Sequence, residues 1–151
     1  MRTVRDDEGD RYLLLKRSAE SSLVRDPETG TERYVPNADL RVDDEASPLV
    51  TAAGAVPASV RRVLTATPNE RALGLLVELV DRGPLAVRTL LDAYDLCESD
   101  LHGLLAEFRA AGLLAEARIA GERGYEATET TCEAVDHLRD GPAREGDEDI
   151  R

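Results

Sequence analysis

LCESDLHGLLAEFRAAGLL, residues 96–114, decides how the second half of this chain is read. Leu101, Leu104, Leu105 and Phe108 recur at three- and four-residue intervals, the spacing of one buried helical face. Ala110-Ala111-Gly112 supplies the stop, with Gly112 suited to the left-handed cap. The exposed face carries Glu98, Asp100 and Glu107 against a single base, Arg109. The shape suits a helix lying in the DNA major groove; the charge argues against it.

Upstream, TPNERALGLLVELVDRGP (67–84) predicts a helix with Thr67 as N-cap, Pro68 in the first helical position and Glu70 completing a capping box. Leu73, Leu76, Val77 and Val80 form its expected buried stripe, and Gly83-Pro84 ends it. LAVRTLLDAYD (85–95) predicts a second helix with Val87, Leu90, Leu91 and Tyr94 inward. Downstream, LLAEARIAGERGYEAT (113–128) reads as two strands joined at Gly121-Glu122-Arg123-Gly124. A last helix starts near Thr128 or Thr130 and runs to about Arg139.

Residues 10–42 read as three short strands. The middle of that stretch is a hairpin turning at Asp26-Pro27-Glu28-Thr29-Gly30, and ADLRV (38–42) gives the third strand. Residues 46–67 contain no acid, and Val56, Val60, Val63 and Leu64 fall on one helical face with Arg61 and Arg62 turned away. The expected organisation is a small β appendage over 1–45, a linker with a short helix over 46–67, a main domain over 68–139 and a disordered acidic tail over 140–151. Three helices, a hairpin and a closing helix define an α+β fold, a winged helix-turn-helix with an N-terminal β appendage.

At 151 residues the chain allows one ordinary domain, or a small domain with an appendage. Aromatic residues make up 3% and Trp is absent, so the core must be built from Leu, Val and Ala. No apolar run is long enough to span a bilayer. MRTVRDDEGD (1–10) places acids where a secretory signal needs an apolar stretch, so a cytoplasmic protein without membrane partners is expected. Two distant cysteines there argue for free thiols. The net charge is −12, and of nineteen bases only Lys16 is a lysine. Distributed acid, scarce lysine and few large aromatics resemble halophilic archaeal proteins that work in molar salt. The Debye length there is about 3 Å, so the acids repel DNA far less than in dilute buffer.

The 96–114 segment resembles the recognition-helix segment of prokaryotic metal-responsive and multidrug-response repressors (the ArsR and MarR types). Leu96, Ser99, Leu101, Leu105, Arg109 and the run Ala111-Gly112-Leu113-Leu114 sit at that pattern's positions without a gap. Tyr125-Glu126-Ala127-Thr128 resembles the Tyr-x-Leu-Thr that closes the family's wing. The likeness covers about residues 68–139 and implies a DNA-binding transcriptional regulator, a homodimer on double-stranded DNA. The helix at 130–139 and the 46–67 segment are the candidate dimer contacts. The groove-facing positions of the family are held here by Glu98, Asp100, His102 and Gly103. Arg, Lys, Asn and Gln, the preferred readers of guanine and adenine, are missing from them, and an acid accepts chiefly from cytosine.

Ser99 is placed to meet a phosphate at the helix start, or else serves as N-cap. Arg109, Arg118 and Arg123 are placed to grip flanking phosphates, or else are solvated charges or partners of surface acids. Over 68–140 there are seven bases and fifteen acids, a net of −8, where a conventional DNA-binding domain is basic. The alternative is a winged-helix module that binds a protein, such as a component of the transcription machinery. The repeated spacing Cys97-x4-His102 and Cys132-x4-His137 offers zinc-ligand types, but five helical residues turn about 500° and leave each pair roughly 140° apart. No metal, cofactor or enzyme activity is expected, because neither a phosphate loop nor a nucleophile–base pattern is present.

Overall fold

A strand that the sequence hides opens the chain. Arg2–Arg5 (β1) has only Thr3 and Val4 between its arginines, too few to show a period, yet both are buried. It pairs with Arg11–Arg17 (β2). Ser21–Arg25 (β3), Glu32–Pro36 (β4) and Arg41–Val42 (β5) complete a five-stranded antiparallel sheet in the order β4-β3-β2-β1-β5. The computed structural model describes residues 1–141 and divides after Ala58 into two units, so this sheet and the helix Pro48–Ala53 (α1) form the first.

The expected hairpin is present. Gly30, at φ +71°, donates its N–H to the Asp26 carbonyl, and the Asp26 carboxylate accepts from the N–H of Glu28. The expected strand over 38–42 shrinks to two residues. Asn37–Asp39 forms a 3-10 turn there, pinned by the Asn37 amide donating to the carbonyls of Ser18 and Ala19. Val4, Tyr12, Val24 and Val35 make the core on one face of the sheet. The opposite face is covered by α1, where Thr3 and Thr51 share a buried hydroxyl hydrogen bond of 2.8 Å. The β1–β2 register sets Arg5 directly across from Arg11, a like-charge pair that would destabilise the sheet. Asp43, its side chain 4% exposed, accepts from both at 2.7 and 3.1 Å and removes that cost.

The acid-free stretch supplies a helix to each unit, not one helix to a linker: α1 belongs to the first, and nearly all of Ala58–Ala66 (α2) to the second. In α2, Val60 and Val63 are buried as expected. Leu64 is 58% exposed, and Val56 lies before the helix because Pro57 precedes its start.

Glu70–Arg82 (α3) begins two residues later than expected. Its N-cap is Asn69, whose side chain accepts from the Ala72 N–H at 3.0 Å. Thr67 does not cap: its hydroxyl turns back to the Val63 carbonyl at the end of α2. The buried stripe is Ala72, Leu75, Leu76 and Leu79, while Leu73, Val77 and Val80 are half-buried. Leu85–Ala86 (β6) and Val87–Ala93 (α4) follow, with Leu90 fully buried and Val87, Leu91 and Tyr94 half-buried. Glu98–Ala110 (α5) buries Leu101, Leu105 and Phe108, and Gly112 takes φ +74°.

Leu114–Ile119 (β7) and Glu122–Ala127 (β8) form the hairpin, and β6 joins it in the order β6-β8-β7. The turn is tighter than expected. Ala120 and Gly121, at φ +51° and +82°, make it alone between the closing pair Ile119 and Glu122, as a two-residue hairpin connection requires. Gly124 therefore lies inside β8, where a Cβ would sit 2.4 Å from the Leu85 carbonyl oxygen.

Glu129–Asp140 (α6) closes the unit. The buried Leu113 anchors both its start and the hairpin's. The Leu113 N–H donates to Phe108 O, and its carbonyl accepts from the Thr128 N–H and the Thr131 hydroxyl. Arg139 of α6 grips Asp81 of α3 through two hydrogen bonds of 2.8 and 2.6 Å. Asp140, expected to open the tail, completes α6, and Gly141 caps it at φ +70°; residues 142–151 of the expected tail lie outside the described residues. Among the described residues no helix is long and apolar enough to cross a membrane. The fold is α+β.

Two substitutions test these contacts. Gly124→Ala drives a methyl into the Leu85 carbonyl and should cost about 1–3 kcal/mol, the scale of overpacking; a denaturant midpoint equal to the parent's would show that β6 does not press on β8 this closely. Asp43 loses from burial but gains more from Arg5 and Arg11, and its pKa lies below the ordinary value. Its stabilisation is present above the unfolded value near 3.9 and is lost as pH falls through the folded one. Asp43→Asn should lower the thermal midpoint at neutral pH and flatten its decline below pH about 4. Parallel parent and variant profiles would remove the role given to this carboxylate.

Candidate nucleic-acid interface

The cap of α5 is a thiol. Cys97 Sγ accepts from the Asp100 N–H at 3.4 Å and touches the Ser99 hydroxyl at 3.2 Å. Ser99 is thus an exposed first-turn residue and not the N-cap. Glu98 and Asp100 supply negative charge where the helix dipole favours it, so this helix start already carries its own anions. His102 Nε2 lies 3.6 Å from Glu98 Oε1, one turn away. Gly103 is exposed, and a Cβ added there would meet nothing within 4 Å. Ser99, Asp100, His102 and Gly103 therefore share the exposed side of one helix.

The three arginines expected to grip phosphate are engaged by the protein itself. Arg109 at the end of α5 and Arg123 on β8 both donate to one oxygen, Glu116 Oε1, at 2.9 and 2.8 Å. Arg123 also donates to the Tyr125 hydroxyl at 3.0 Å. Glu116 first, with Tyr125, raises the pKa of the Arg123 guanidinium above its ordinary value. Two cations on one carboxylate leave the cluster at +1 in a stretch whose net charge is −8. Arg118 donates to the Gly121 carbonyl of its own turn at 3.1 Å. Arg123 does not stand at the hairpin tip as expected; it lies within β8 opposite Arg118.

No local signal in the sequence marks Glu116. It faces Tyr125 across the hairpin, so it lies diagonal to Arg123, within reach of a long side chain. That relation follows only when the turn is placed at Ala120-Gly121. Moving it two residues on, to Gly121–Gly124, breaks the diagonal.

Cys97 is exposed and Cys132 half-buried, both as thiols, and both histidines are exposed. These four residues do not gather into a three-ligand group. Among the described residues the group that does is Asp6, Glu8 and Asp10 in the β1–β2 turn. Asp6 there already accepts from the N–H groups of Glu8 and Asp10 and from the Tyr12 hydroxyl.

No curated protein and no solved structure matches the sequence. A family model does, over residues 1–139, taking in the five-stranded sheet as well as α5 and its hairpin. The chain belongs to that family, a family of unknown function, DUF7346.

Proposed function

We propose that the second unit is a winged helix, with α5 as recognition helix and β7–β8 as wing, and that the chain is a DNA-binding transcriptional regulator. The observation that carries this reading is the convergence of Arg109 and Arg123 on Glu116 Oε1 where α5 meets the hairpin. Two guanidinium groups sharing one carboxylate oxygen are spaced to share one phosphate oxygen, because both anions accept charge-assisted hydrogen bonds of the same length. Glu116 is then an internal competitor that a backbone phosphate displaces. Ser99, Asp100, His102 and Gly103 face the groove. With no Arg, Lys, Asn or Gln among them, they supply little base discrimination. Binding rests on the backbone, which positions without specifying.

Salt enters through the same charges. A surface with few bases releases few counterions, so its affinity falls only slightly as KCl rises to molar concentration. The composition fits an environment of that kind. The second reading, a winged helix that docks a protein of the transcription machinery, is favoured by exposed Glu98, Asp100 and Glu107 on α5. A homodimer sets two recognition helices about one DNA turn apart. The apolar contacts available for it in this unit are Leu138 on α6, 46% exposed, and Leu64 on α2.

Binding titrations on duplex DNA across KCl test the reading. Glu116→Gln should tighten binding by on the order of 1 kcal/mol, the scale of an exposed ion pair. Arg123→Glu should weaken it at all sequences alike, and His102→Ala should change preference between sites more than total affinity. If all three variants bind like the parent at every salt concentration, this face does not hold DNA and the protein-docking reading replaces it. The dimer is checked separately, by light scattering in molar KCl. A mass near twice 16.4 kDa is expected, and a single species at 16.4 kDa removes the two-site arrangement.

A further inference from the structure

A second feature of this unit lies away from the arginine clamp, between α3 and the connection from α4 to α5. There a cleft of about 590 Å³ opens, within the range that small-molecule sites occupy. Its floor is apolar, formed by Leu75, Val77 and Leu96. Its two ends are bridged. At one, Arg71 donates to the Asp95 carbonyl at 2.7 Å; at the other, the Tyr94 hydroxyl donates to Glu78 and accepts from Arg82 at 2.8 Å. Residues 71 and 78 are two turns apart on α3, about 10 Å at 1.5 Å per residue.

Between these ends, at the opening, stands Gly74. It is helical and exposed, and a Cβ built on it meets nothing within 4 Å. Neither packing nor backbone conformation accounts for it, although glycine weakens a helix interior. What it leaves is room along the floor.

The charges at the two ends differ in a way that selects a ligand. Glu78 is balanced by Arg82. Arg71 forms no ion pair of 4 Å or less among the described residues; it donates to the backbone carbonyl of Asp95, an acid that also lines this end of the cleft. An unbalanced guanidinium at the end of an apolar trough of this length fits one class of molecule. We propose that the cleft binds an apolar monocarboxylate of medium chain length, its carboxylate on Arg71 and its chain laid past Gly74 toward Tyr94. This does not rest on how α5 and the hairpin meet DNA.

The probe is octanoate, titrated into the full chain and followed by amide chemical shifts. Saturable shifts are expected at Gly74, Leu75 and Leu96. Each methylene buried contributes about fourfold in affinity, so hexanoate, two methylenes shorter, should bind about sixteenfold more weakly. Octanamide, of the same length without the charge, should also bind about tenfold more weakly, for loss of a charge-assisted hydrogen bond. Arg71→Gln should cost octanoate a similar factor, and Arg71→Lys should recover part of it. Gly74 is exposed and a Cβ there meets nothing within 4 Å, so Gly74→Leu should fold while its side chain obstructs the opening, and should not bind. The proposal fails if octanoate gives no saturable shifts at these residues. It also fails if octanamide binds as tightly as octanoate, or if folded Gly74→Leu binds like the parent.

Discussion

The second unit depends on the peptide groups of Leu113. Its N–H returns to Phe108 and closes the end of α5; its carbonyl takes the Thr128 N–H and the Thr131 hydroxyl, and so fixes where α6 begins. The Thr128 hydroxyl adds a bond to the Gly112 carbonyl at 2.8 Å. Buried polar groups left unpaired cost more than paired ones return. A chain that buries Leu113 must therefore bring α5, the first hairpin strand and α6 to one point. The meeting of Arg109, on α5, with Glu116, on the hairpin, is downstream of that requirement.

This constraint also explains what the sequence made legible. The spacing of Leu101, Leu105 and Phe108 and the stop at Gly112 are local signals, and the structure follows them. The Asp26–Gly30 turn was readable for the same reason, since its residue types match the backbone angles and hydrogen bonds they must supply. The structure departs from the local signals where a choice between neighbours depends on distant partners. Thr67 and Asn69 are both good caps, but Thr67 is drawn to Val63 on the preceding helix, which leaves Asn69 to start α3. The hairpin turn lies two residues before the position that Gly124, by type a turn glycine, suggests. That glycine's actual reason is the approach of Leu85 from a strand of two residues, which has no period to read.

Charge is the feature of the candidate site least legible in advance. The count of acids over 68–140 gives the sum and hides its arrangement, because Arg109 and Arg123 are gathered by Glu116 while Glu98, Asp100 and Glu107 stand exposed along α5. A net charge is a statement about long-range steering. At molar salt, with screening over about 3 Å, pairwise geometry matters more than the sum. The same distinction applies in the first unit, where Asp43 balances two facing arginines although twelve acids and ten bases precede residue 68.

The absence of Trp has an optical consequence. Tyrosine emission in this chain is not drained by transfer to an indole, and the four tyrosines divide evenly, Tyr12 and Tyr34 in the first unit, Tyr94 and Tyr125 in the second. Tyr12 sits under the Arg33 guanidinium, 5.1 Å from the ring centre, and donates to Asp6. Burial, and after it the bond to Asp6, raise its pKa above the ordinary phenol value. Its phenolate absorbance is delayed to higher pH while the five-stranded sheet stands, and returns toward the ordinary range of about 10 when the sheet opens. Ultraviolet difference spectra in alkali thus contain a label-free signal from Tyr12 that reports on the five-stranded sheet.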